Sequence, residues 1–279
     1  MSCLCINIKK NYGTMHDYVI CAGLILLSLL SSCDKNEQDI YKQKEIPLLS
    51  QVYFDTVLYY EYTYNDANLI VEEKSKLHYT RHHYNDKYQL TSSDYYVDPH
   101  MYSSCIHLAD SAFNRKEWVN PDNTERSNCR QYFYNDKGQM IKSSDELTLT
   151  EFSYDNNNRI CCQVFYHEGK PSGRIDYDFD DKGNVVMRRH YYILASGVTE
   201  PATTTEYIYD SKHNPYQTFR SLMTPGQNTN QNNIIKEIYT LHFEVDETID
   251  KVRITENYYE YNEKGYPVRK NGTVNYIYK

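Results

Sequence analysis

After residue 50 apolar and polar positions alternate with a period of two over most of the chain, and short polar runs interrupt the alternation at regular places. Such a pattern predicts half-buried β-strands joined by tight turns. The interruptions share one register. An aromatic residue stands at Tyr62, Tyr132, Phe152, Tyr177, Tyr207 and Tyr259, with His82 at the equivalent place. Two residues later a second aromatic follows: Tyr64, Tyr84, Tyr134, Tyr154, Phe179, Tyr209 and Tyr261. The next residue is always Asn or Asp: Asn65, Asn85, Asn135, Asp155, Asp180, Asp210 and Asn262. Six positions beyond the second aromatic the chain is apolar again, at Ile70, Leu90, Met140, Ile160, Val185, Pro215 and Pro267.

Each position has a physical reason. A spacing of two puts both aromatics on one face of a strand. Asn or Asp opens a type I turn because its side-chain oxygen accepts a backbone N–H two residues on. Four residues after the second aromatic stand Asn68, Tyr88, Gly138, Asn158, Gly183, His213 and Gly265, mostly types that tolerate a left-handed backbone. A type I turn followed by a left-handed residue in a bulge is a common hairpin connection. The expected fold is therefore all-β, an antiparallel β-meander of repeated hairpins forming a curled sheet or partial barrel. Two longer gaps, Tyr84 to Tyr134 and Tyr209 to Tyr261, leave room for insertions or degenerate hairpins. The second contains a polar run, Thr224–Asn233, expected to be either a binding loop or a disordered insertion, then strand-like stretches at Ile234–Val245 and Val252–Tyr261. Tyr276-Ile277-Tyr278 reads as half a repeat. No helical periodicity of useful length follows residue 50.

The string aromatic-x-Tyr-Asn/Asp-x-x-Gly-x-apolar, clearest at 132–140, 177–185 and 259–267, resembles the YD (RHS-type) repeat and covers most of residues 55–279. Related tyrosine-rich repeats occur in Bacteroidetes-type lipoproteins. The resemblance implies a meandering sheet and says little about activity. In large RHS proteins the repeats wind into a shell around a toxin, and this chain is expected to be too short to close one.

The N-terminal part reads differently. Val19–Leu30 is a continuous apolar run, short for a membrane span and typical of a signal-peptide core. It ends in Leu30-Ser31-Ser32-Cys33, which resembles the lipobox of bacterial lipoproteins, where cleavage precedes a lipidated cysteine. Asp34, Glu37 and Asp39 resemble an acidic surface-export signal of Bacteroidetes-type lipoproteins. The expected organisation is a signal peptide at 1–32, a flexible tether at 33–50 and a repeat domain at 51–279. Export and lipid anchoring on Cys33 follow, with the outer membrane as the expected site, on its surface or periplasmic face. Met1 and Met15 both remain possible starts.

Composition narrows the function classes. The chain carries a net charge of −8, of which residues 1–32 contribute +1 through Lys9, Lys10 and Asp17. The remainder, at −9, disfavours nucleic acid as a partner, because nucleic acid binding needs clustered Lys and Arg. Leu, Ile, Val and Phe are sparse, but 31 tyrosines supply ring area, so a thin tyrosine-lined core with phenols at the sheet surface is expected. Cys105, Cys129, Cys161 and Cys162 would sit in a compartment that permits disulfides, with Cys105–Cys129 a candidate pair.

Candidate chemistry is thin. No nucleophile elbow, zinc-protease helix, phosphate loop or calcium loop is present, and no catalytic residue, metal site or cofactor is assigned. His82 and His83 would face opposite sides of a strand, and Cys105 with His107 gives only two ligands. If the motif aromatics build the core, ligand contact falls to aromatics off the motif: Tyr95, Tyr96, Trp118, Tyr191 and Tyr192. Thr56, in Asp55-Thr56-Val57, and Ser111, in Asp110-Ser111-Ala112, resemble O-glycosylation acceptors of Bacteroidetes-type exported proteins. The expected function is a non-enzymatic envelope binding or scaffold module for a glycan or protein partner. The alternatives are a glycan-active hydrolase with carboxylates gathered from distant strands and a small envelope assembly factor.

Overall fold

The computed structural model describes residues 46–97, 118–194, 197–198, 201–243 and 249–279. The leader, Cys33, Cys105, His107 and Ser111 lie outside the described residues. The strands are β1 (Leu49–Phe54), β2 (Val57–Tyr64), β3 (Ile70–Ser75), β4 (His78–Tyr84), β5 (Leu90–Val97), β6 (Asn128–Tyr134), β7 (Met140–Ser144), β8 (Thr148–Tyr154) and β9 (Ile160–His167). They continue with β10 (Lys170–Phe179), β11 (Val185–Leu194), β12 (Gly197–Val198), β13 (Thr203–Tyr209), β14 (Ile234–Leu241), β15 (Lys251–Glu256), β16 (Tyr259–Tyr261), β17 (Pro267–Lys270) and β18 (Val274–Tyr278). All pairings are antiparallel. From β2 to β11 each strand pairs with the next, β13 follows β11, and β14 and β15 end that side. On the other side β1 pairs with β18, then β17 and β16. β12 only folds back on the end of β11. The two end strands, β15 and β16, are separated along the chain by Asn257 and Tyr258 alone, and no ladder pairs them with each other.

The repeat explains the hairpins. Asn65 Oδ1 accepts the N–H groups of Ala67 and Leu69, both at 3.0 Å, and Asn68 N donates to Asn65 O at 2.9 Å. Asn85, Asn135, Asp155, Asp180 and Asn262 repeat the arrangement. The left-handed residue is present in each, with φ of 60° at Asn68 and Tyr88, 62° at Asn158, 76° at Gly138, 89° at Gly183 and 80° at Gly265. The ladder register shifts at the second aromatic of every motif, the mark of a bulge.

That bulge explains why the second aromatic is a tyrosine. In five motifs its hydroxyl reaches back to a backbone carbonyl of the preceding hairpin, while Tyr261 donates to the Asp210 carboxylate instead. Tyr84 donates to Ile70 O at 2.9 Å, Tyr134 to Leu90 O at 3.0 Å, Tyr154 to Met140 O at 2.9 Å and Tyr209 to Val185 O at 2.5 Å. Tyr64 does the same to Leu49 O, and Tyr278 to Pro267 O. The thin tyrosine-lined core is present, but these hydroxyls staple hairpin to hairpin rather than face water. Phe179 lacks the hydroxyl. There Arg159 lies 4.4 Å from the ring centroid and donates to Asp180 O at 3.0 Å.

The sixth motif, at Tyr209-Asp210, departs from the expectation. Asp210 starts a turn by accepting from Lys212 N, but the residue that closes it is Asn233, whose N–H donates to Asp210 Oδ1 at 3.1 Å. An ordered insertion therefore occupies the middle of this turn. Tyr209 pairs with Ile234, so Pro215, assigned from sequence to the apolar repeat position, does not hold it. Pro215 instead opens a 3-10 helix, Pro215–Leu222, capped by Asn214, whose Oδ1 accepts from Tyr216 N at 3.1 Å. The insertion reaches hairpins far apart in strand order: Thr218 lies beside Tyr64, Ser221 beside Tyr84, His213 stacks on Tyr266, and Gln231 N donates to Asn184. One segment touching all of these requires the sheet to curl around it. The main core sits at that contact, where Phe219 packs with Leu49, Val52, Tyr62, Ile70 and Tyr276.

Candidate functional site

The same face of the sheet that closes on Phe219 at β2 stays open farther along. Tyr177 on β10, Tyr207 on β13 and Tyr259 on β16 occupy the first aromatic position of the motif, as Tyr62 does on β2. Tyr62 is buried, 4.7 Å from the Phe219 ring. The other three line a cavity of about 480 Å³ together with Arg188, Glu237, Lys270 and Tyr276 from the sheet. The facing wall is the insertion, contributing Asn214, Thr224 to Gln227, Asn230, Asn232 and Asn233.

Amides hold that wall in place. Asn230 Oδ1 accepts from Val185 N at 2.9 Å and its Nδ2 donates to the Tyr209 hydroxyl at 3.0 Å. Asn214 Nδ2 donates to Gln227 O and Asn230 O at 2.7 and 3.0 Å. Asn184, fully buried, accepts from Gln231 N and Asn232 N. Thr224–Asn233 is thus an ordered wall, and the disordered alternative is set aside. Its composition explains this: each amide can donate and accept, so a run of Asn and Gln satisfies backbone groups that no ladder reaches.

The cavity is polar and its charges are partly desolvated. Burial pushes the Tyr177 phenol up to about 12, opposed by the nearby Arg188 guanidinium. Tyr207 is raised by burial and by Glu237, and Tyr259 is raised mainly by burial. All three are neutral hydroxyls at physiological pH. Burial lowers Lys270, which Glu237 opposes.

No family model and no curated protein matches the chain. Among solved structures it is similar to a porin-like protein from Bacteroides vulgatus, at 13% identity and TM-score 0.40, over 84% of this chain and 99% of that one. A porin-like protein from Bacteroides uniformis gives 14% identity and TM-score 0.37, over 83% and 98%. The Photorhabdus luminescens Tc holotoxin pore gives 14% identity and TM-score 0.31, over 79% of this chain and 9% of that one.

Of the binding candidates read from sequence, the Thr224–Asn233 loop lines the cavity, whereas none of the five off-motif aromatics does. Tyr95 is half-buried on β5, its hydroxyl 3.5 Å from that of Tyr132. Tyr96 lies edge-on to Tyr79. Trp118 is half-buried beside Val119, whose N–H donates to Ser75 O at 3.4 Å. Tyr191 packs under Arg174 on β11, and Tyr192, 57% exposed, meets His190 edge-on. Thr56 is exposed in the β1–β2 turn. Cys129 is a half-buried free thiol near Asp94, while Cys105, its candidate partner, lies outside the described residues. His82 is buried against Ser93 and His83 is exposed beside Asp94. Among the described residues no group of three or more His, Cys, Asp or Glu is placed to hold a metal ion.

The sheet side of the cavity was missed because the motif tyrosines were assigned to the core. The available signal was parity: Arg188 falls opposite Thr205, and Glu237 opposite Tyr207, on the face the motif turns inward.

Proposed function

We propose that this protein is a non-enzymatic binding module of the cell envelope, anchored by lipid at Cys33, whose ligand site is the cavity between the inner sheet face and the insertion 211–232. The observation that carries this reading is the lining itself. Tyr207 and Tyr259 offer half-buried rings and hydroxyls, and Gln227 and Asn232 stand opposite them on a wall fixed by buried amides. At about 480 Å³ the space falls in the range of small-ligand sites, roughly 300–1,000 Å³. Rings that stack and amides that both donate and accept suit a saccharide, whose faces are apolar and whose rim is hydroxyl.

Among the cavity-lining residues only Glu237 carries a carboxylate. Hydrolysis of a glycosidic bond by the usual route needs two, so the lining supports capture over cleavage. The envelope address rests on the sequence: the apolar run Val19–Leu30 and the lipobox-like Leu30–Cys33.

The test is a glycan array probed with the protein from residue 34 onward, beside Tyr207→Ala and Tyr259→Ala. The expected result is binding to a defined set of oligosaccharides, weakened at least tenfold by each substitution, with no product released. Binding unaffected by both substitutions, in variants that keep the native circular dichroism spectrum, contradicts the assignment of the site.

A further inference from the structure

Several arginines of the sheet are neutralised by a carboxylate close at hand. Arg130 pairs with Asp145, Arg159 with Asp155, Arg174 with Asp176, Arg189 with Asp178 and Arg126 with Asp94, at 2.5 to 2.9 Å. Two cations that line the cavity, Arg188 and Lys270, have no such partner among the described residues. Arg188 lies near the Tyr177 hydroxyl, which donates to Gln163 Oε1 at 3.1 Å. The Lys270 ammonium stands 5.8 Å from the Tyr259 ring centroid. Glu237 acts on Tyr207 and Lys270 through space without an ion pair to either cation. With Arg188, Lys270 and Glu237 charged, the cavity carries one net positive charge in a chain whose net charge is −8.

A partly desolvated cation without a counter-ion is costly, and an arriving anion recovers that cost. The planar guanidinium of Arg188 suits a carboxylate, which it can hold through two parallel hydrogen bonds, and Lys270 supplies a point charge. Resting on the saccharide-binding reading above, we propose that the cavity selects an acidic saccharide, a chain containing hexuronic acid, whose carboxylate is held by Arg188 and Lys270. Tyr207 and Tyr259 then take the sugar rings. Selectivity for acid over neutral sugar thus comes from two residues, and general affinity from the tyrosines.

The experiment uses oligosaccharides containing glucuronate or galacturonate, the same compounds with carboxyls methyl-esterified, and sulfated neutral oligosaccharides. Binding is measured by titration calorimetry with the protein from residue 34 onward and with Arg188→Gln, Lys270→Gln and Tyr259→Ala. The expected outcome is that at least one uronate binds tenfold or more tightly than its ester. Arg188→Gln and Lys270→Gln should each weaken the acid at least tenfold and leave the ester within twofold, whereas Tyr259→Ala weakens both. Equal binding of acid and ester, still lost in Tyr259→Ala, overturns the acidic preference and leaves the binding-module reading standing. A preference for sulfated over carboxylated sugar overturns the carboxylate assignment. Failure of every saccharide, neutral or acidic, overturns both.

Discussion

At the residue scale the structure turns on what a phenol can do that a benzyl group cannot. The second aromatic of the repeat is tyrosine wherever its hydroxyl reaches the carbonyl of the preceding hairpin. Tyr84→Phe keeps the ring, removes the donor to Ile70 O and the contact to Ser221, and should destabilise by about 1–2 kcal/mol in chemical denaturation. No measurable change would mean that water replaces the bond freely. His82 makes a second residue-scale statement. It is 7% exposed, its Nδ1 is 2.8 Å from Ser93 Oγ, and burial pushes its pKa down to about 4. The unfolded chain binds this proton near 6.5, the folded chain only near 4, so stability is complete above pH 6.5 and falls as pH drops toward 4. Up to about 3 kcal/mol is lost over that window. His82→Gln should flatten the dependence of Tm on pH between 4 and 6.5, and an unchanged slope would place the proton elsewhere. The turn residues were legible in sequence because their chemistry is local. The phenol staples were not, because their acceptors are backbone carbonyls that lie in another hairpin.

At the scale of elements, the insertion between Asp210 and Asn233 is the feature that walls the cavity. Its polarity reads in sequence as loop or disorder, since nothing in a run of Asn, Gln and Thr reveals which carbonyls it will meet. The structure resolves it through Asn184, Asn214 and Asn230, each bonded to backbone far along the chain. Asn230, 1% exposed, bridges Val185 N and the Tyr209 hydroxyl. Asn230→Ala leaves both groups without that partner and should cost about 2–3 kcal/mol. In hydrogen exchange, protection should fall across 224–233 first, while the β2–β9 hairpins keep theirs. Uniform loss across the whole sheet would show that the insertion and the hairpins unfold as one unit. The same element explains Pro215: counting six residues from Tyr209 lands inside the insertion, while the ladder resumes at Ile234.

At the scale of the whole molecule, an antiparallel meander with short turns was readable from period and turn chemistry, and the curled sheet of hairpins agrees. Which tyrosines would be core was not readable, because burial depends on what the sheet curls around. Tyr62 meets Phe219 and is buried, and Tyr177 is buried with Ile175 and Val185 at the cavity's edge, whereas Tyr207 and Tyr259, at the same repeat position, are half-buried and face the cavity. The off-motif aromatics were chosen as binding residues by assuming that the repeat is uniform, and the insertion breaks that uniformity. The envelope address yields its own expectation. Cys33→Ala should move the protein from membrane to soluble fractions, or leave the precursor unprocessed, because the acyl chains supply membrane affinity. Unchanged fractionation without lipid labelling of the wild type would contradict it. The central claim, that the repeat and its insertion together form a saccharide site, is tested most directly by a crystal structure of the protein from residue 34 onward with the tightest-binding oligosaccharide. The account predicts sugar density between Tyr207, Tyr259 and the 224–233 wall, with a carboxylate at Arg188. Density on the outer face, beside Tyr96 or Tyr191, with the cavity occupied only by solvent, would contradict it.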